Sequence, residues 1–105
     1  MNTIESPSTA LASKAAAYDD AKFLALQTIK SIRVGTVSEG QAMDALATCR
    51  NELDNTTADI REYLRGLEFD ASHVRESFEY RMTESAGVSA HLAVDELSHV
   101  IARSY

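Results

Sequence analysis

Leu46, Leu53, Ile60 and Leu67 recur at intervals of seven, with Cys49, Thr56 and Tyr63 between them. Seven residues are close to two helical turns, so these positions share one stripe of a long helix. Such a stripe needs a partner helix to bury it. Ser38 followed by Gln41 forms a capping box where the helix should start. The seam weakens at Thr56. Asp54-Asn55-Thr56-Thr57 is poor helix material, in which Thr56 and Asp59 would cap a fresh helix. Either one helix runs from 39 to about 65 or two short ones meet near 55. The unbroken phase favours one.

Upstream, residues 1–8 read as a flexible N-terminal tail, and 9–105 as a single helical domain. Ser8 or Thr9 is the expected cap of a first helix ending near Arg33, with Gly35 as its stop. Leu11, Ala15, Tyr18, Ala25, Ile29 and Ile32 make one apolar stripe, while Phe23 and Leu24 point well away from it. A helix apolar on several sides is either central in the fold or touches another chain.

Downstream, Gly66 reads as a helix end with Leu67 folding back. Asp70 should cap a third helix, flanked by Phe69 and Val74 as a hydrophobic staple and buried through Val74, Phe78 and Met82. Gly87 should break it. Ser89 then starts a last helix with Ala93, Leu97, Val100 and Ile101 inside. No strand pattern occurs. The expected fold is all-α: an antiparallel helical bundle of three to four helices with one long heptad-patterned central helix.

Composition sharpens this picture. Only Pro7 among 105 residues would remove a backbone donor from a helix. Net charge is −6, and residues 34–105 hold thirteen acids against six bases. An acidic body favours basic partners and repels phosphates, so direct nucleic-acid binding is not expected. Asp44, Glu52, Asp54, Asp59 and Glu62 form a candidate acidic patch that would imitate a phosphate backbone. Cys49 is the single cysteine, expected to be a buried, inert thiol. Neither a signal peptide nor a membrane span is legible, and we expect a cytoplasmic protein with no membrane association.

Candidate chemistry is thin. His91, Asp95 and His99 are four apart on one helix face, and Glu96 with His99 makes a Glu-x-x-His step. Imidazoles and carboxylates so spaced suit zinc or iron, but no second such step exists and the face lies opposite the apolar stripe. His73 and Glu76 are neighbours without a nucleophile. Phosphate loops and catalytic triad signatures are missing. We expect no enzyme activity and no cofactor.

The sequence does not specify one function. Its profile is that of a regulator or inhibitor acting by protein–protein contact, similar in type to antitoxins, secretion chaperones and anti-CRISPR proteins. A homodimer is expected, and a partner with a basic or apolar docking surface. Phe23, Leu24, Leu46, Leu53, Ile60 and Leu67 are the candidate contact residues. Three alternatives stand beside this: an acidic nucleic-acid mimic, a metal-binding bundle, and a helix-turn-helix whose second helix would be 56–66.

Overall fold

A computed structural model describes residues 7–67 and 70–105. The fold is all-α, with helices α1 (Pro7–Arg33), α2 (Glu39–Leu67), α3 (Ala71–Arg75) and α4 (Phe78–Ser104). Three long helices run up, down and up over a body of 51 × 25 × 16 Å. α1 and α4 therefore lie parallel: Thr83 reaches Leu11 near their starts, and Tyr105 reaches Val37 near their ends.

α1 begins at Pro7, earlier than Ser8 or Thr9 would have capped it. Proline in a first turn forfeits no helical hydrogen bond. The rest of the expected tail, residues 1–6, lies outside the described residues. At the other end Gly35 adopts φ +74°, the left-handed conformation glycine tolerates. Thr36 N–H donates to Ser31 O and Gly35 N–H to Ile32 O, a Schellman closure. The capping box then starts α2: Ser38 N–H donates to Gln41 Oε1 at 2.8 Å, and Gln41 N–H to Ser38 Oγ at 3.2 Å.

α2 is a single helix of 29 residues that passes through Asp54-Asn55-Thr56-Thr57 without a break. Thr56 turns inward and is buried, which keeps the stripe continuous. The turn required by a helix-turn-helix near residue 55 is therefore not there, and 56–66 is the second half of one helix. Leu46, Cys49 and Leu53 are buried, Ile60 and Leu67 are half-buried, and Leu64 takes the inward place expected of Tyr63. A straight helix drifts by about 20° per heptad, so three heptads carry the buried line from one side of the seam to the other.

The third and fourth helices depart furthest from expectation. Asp70 precedes α3 but makes no side-chain cap bond, and α3 is only five residues long. Phe69 lies outside the described residues. Ser77 caps α4 instead: its Oγ accepts from Tyr80 N–H at 3.1 Å and donates to Val74 O at 2.6 Å. This cap resets the helix direction, so the phase set by Val74 does not carry on to Phe78 and Met82. Val74 is buried, whereas Phe78 and Met82 are 72% and 53% exposed. Gly87 does not break the chain. It is buried in the interior of α4, and Ser89 is mid-helix. A mid-helix glycine costs about 1 kcal/mol, offset here by the packing of Ala90, Ala93, Val94, Leu97, Val100 and Ile101 on the same helix.

Two apolar clusters result. The larger joins α1, α2 and α4 from Tyr18 to Ile101. The smaller, at the α3 end, gathers Leu11, Leu64, Ala71 and Val74. α1 is the helix on which both long neighbours pack, and α2 and α4 meet each other far less.

Candidate functional site

The seam of α2 is consumed inside the chain. Leu46 and Leu53 belong to the larger cluster, Ile60 bridges both clusters, and Leu67 packs on the smaller. Leu24 is half-buried against the larger cluster. Phe23, one residue earlier, is 62% exposed, with Leu26 also exposed on the outer side of α1. Of the six candidate contact residues, Phe23 is the one that the fold leaves open to solvent.

The five acidic candidates do not share a face. At roughly 100° per residue, Asp44 and Glu62 lie opposite Leu53, Glu52 and Asp59 on one flank, and Asp54 on the other. Asp59 pairs with Lys14 of α1 at 3.7 Å, and Glu62 with Arg65 at 3.2 Å.

His91, Asp95, Glu96 and His99 are all exposed on α4. His91 Nδ1–H donates to the Gly87 carbonyl at 2.7 Å, since a carbonyl oxygen can only accept. Glu96 pairs with Arg103 at 3.2 Å. No three His, Cys, Asp or Glu side chains converge as a metal site among the described residues. Cys49 is fully enclosed, its Sγ 3.5 Å from Ala21 O, and burial raises its pKa.

Two surfaces stand out that the sequence pattern did not single out. The first is the outer side of α4, where Phe78, Met82, Val88 and Leu92 are all more than half exposed. By helical geometry they fall within about a third of the circumference, away from the buried line. Phe78 and Met82 continue Val74 at intervals of four, so the spacing alone predicts them in the core. The signal that separates them is Ser77, whose cap to Tyr80 marks a new helix start.

The second is a groove of about 420 Å³ where α2 and α4 stand apart. Tyr18 of α1 forms its floor, with Oη 2.9 Å from Thr57 Oγ1. Ile60 and Leu64 line the α2 side, Val88 the α4 side, and Tyr80 the end near α3. Arg61 of α2, Arg75 of α3, and Glu84 and His91 of α4 supply the charged and titratable groups. Nothing in the heptad pattern marks Arg61 and Arg75 as neighbours, because the α2–α3 corner brings them to one groove.

No protein-family model, curated protein or solved structure matches this chain. None of the described helices is long and apolar enough to cross a membrane.

Proposed function

We propose that this protein is a small cytosolic regulator or inhibitor that works by contact with another protein, and that the contact runs through the outer face of α4. The observation that carries this reading is the exposure of Phe78, Met82, Val88 and Leu92 on one side of one helix. They form two apolar pairs at intervals of four, Phe78 with Met82 and Val88 with Leu92, and exposed apolar side chains grouped in this way are costly to leave in water and mark interaction sites. Exposed aromatic and methionine side chains are the types enriched at protein interfaces. The net charge of −6 favours a partner whose rim is basic.

The alternatives have less support. A nucleic-acid mimic needs its acids on one face, and those of α2 are spread around the helix. A metal-binding bundle needs convergent ligands, and the α4 candidates point to solvent or are paired. A DNA-binding motif needs the turn that α2 lacks.

The test is the double variant Phe78→Ser, Leu92→Asp in a capture experiment from the native host, with the mass in solution recorded for both forms. Both residues are exposed, so the variant should fold as the wild type does. Loss of a stoichiometric partner, or of a homodimer, supports the reading. Unchanged partner recovery and unchanged mass would remove it.

A further inference from the structure

We propose that the groove between α2 and α4 binds a small amphipathic oxyanion: an apolar body the size of one or two fused rings bearing one carboxylate or sulfonate. This site borders the α4 outer face and shares Val88 with it, but its charged groups lie off that face.

Size and lining set the body of the ligand. About 420 Å³ lies within the range of small-molecule pockets, and Ile60, Leu64, Tyr80 and Val88 give it largely apolar walls. The floor is already satisfied, since the Tyr18 and Thr57 hydroxyls bond each other. A ligand would thus meet an apolar floor that asks for no polar partner at its centre.

Charge sets the head group. Arg61 and Arg75 enter the groove from two different helices, and neither has an ion-pair partner among the described residues. Arg65 and Arg103, by contrast, each hold a carboxylate at 3.2 Å. Among the described residues Glu84 is the groove's one carboxylate, on the α4 side. Arg61, Arg75 and Glu84 together give the lining a formal charge of +1, within a chain of −6. Two guanidiniums brought to one cleft are suited to clasp a single oxyanion.

A macromolecular guest fits less well. The groove follows α2 from Thr57 to Leu64, about 10 Å of helix. That is two helical turns, so a guest helix would find only two turns of contact there.

Titration of the full chain with 1-anilinonaphthalene-8-sulfonate, read by fluorescence, tests the proposal. We expect one site per chain, and about tenfold or greater weakening in Arg61→Gln, Arg75→Gln with unchanged circular dichroism. Glu84→Gln should act in the opposite direction and tighten binding several-fold, which keeps the test informative should the arginine variant fold poorly. The uncharged probe N-phenyl-1-naphthylamine should bind equally to wild type and arginine variant. Equal sulfonate affinity in wild type and arginine variant would overturn the proposal. So would loss of the probe in Phe78→Ser, Leu92→Asp, since the α4 outer face would then be its site. A wild-type dimer that dissociates on arginine substitution would instead place a second copy in the groove.

Discussion

The ring of Tyr18 lies against the backbone of Gly87. A Cβ at position 87 would stand 2.9 Å from Tyr18 Cε2 and 3.0 Å from Cζ, closer than side-chain carbons pack. Gly87 is therefore the place where α4 admits an aromatic ring from α1. The same contact lays Tyr18 across the floor of the groove and within reach of Thr57 on α2.

Gly87→Ala should destabilise the protein by about 1–3 kcal/mol, because overpacking outweighs the gain in helix propensity. In a Tyr18→Leu background the clash is relieved, and the same change should become neutral or stabilising by up to about 1 kcal/mol. Urea unfolding of the four proteins measures the coupling. Equal effects of Gly87→Ala in both backgrounds would show that the ring is not the obstacle.

Leu53→Ala should cost about 2–5 kcal/mol, since Leu53 is 3% exposed in the core of a single chain. Leu53→Asp should leave the chain unfolded. Were the α2 seam an interface between chains, the loss would instead shrink on raising the protein concentration. Thermal unfolding of Leu53→Ala at two concentrations a hundredfold apart distinguishes the cases, and we expect the midpoint shift from wild type to be the same at both.

The corner between α1 and α2 rests on Gly35 and Ser38. Ser38→Ala removes the acceptor for Gln41 N–H and should cost about 1 kcal/mol. Gly35→Ala meets no neighbouring atom, yet its φ of +74° is strained for alanine, for a similar cost of about 1 kcal/mol. Calorimetry of each variant checks these values. A stabilising Gly35→Ala would mean that the turn rearranges.

Cys49 should react with a thiol reagent only as fast as the protein opens. Burial raises its folded pKa, so the native state holds the proton that the unfolded chain gives up. Its contribution to stability is complete below the unfolded thiol pKa, near 8.5, and is lost as pH rises through the higher folded value. Cys49→Ala should flatten that alkaline loss in a stability–pH profile, while itself costing stability at neutral pH through the cavity it leaves. An identical alkaline slope in both proteins would assign the loss to other groups.

Features that depend on near neighbours are legible along the chain. The capping box at Ser38, the left-handed stop at Gly35, the inward faces of α1 and the last helix, and the enclosed Cys49 all follow from periodicity and local hydrogen bonding. These act over three or four residues, or along one helix face. Positions where two local signals compete are not decided in this way. Gly87 has the lowest helix propensity of any residue but proline, and only the arrival of Tyr18 from α1 shows why it sits inside α4. Phe78 and Met82 continue an apolar spacing, and only the cap at Ser77 turns them outward.

The fate of each apolar face is set by how the helices pack. A stripe shows that a helix must be covered but not by which helix. Leu46 and Leu53 are covered by α1 and α4 of the same chain, which moves the open apolar surface from α2 to the outside of α4. The α2–α3 corner likewise brings Arg61 and Arg75 into one groove, although fourteen positions separate them in the chain. Proximity of that kind is set by how helices of fixed length pack, and no periodicity within a single helix encodes it.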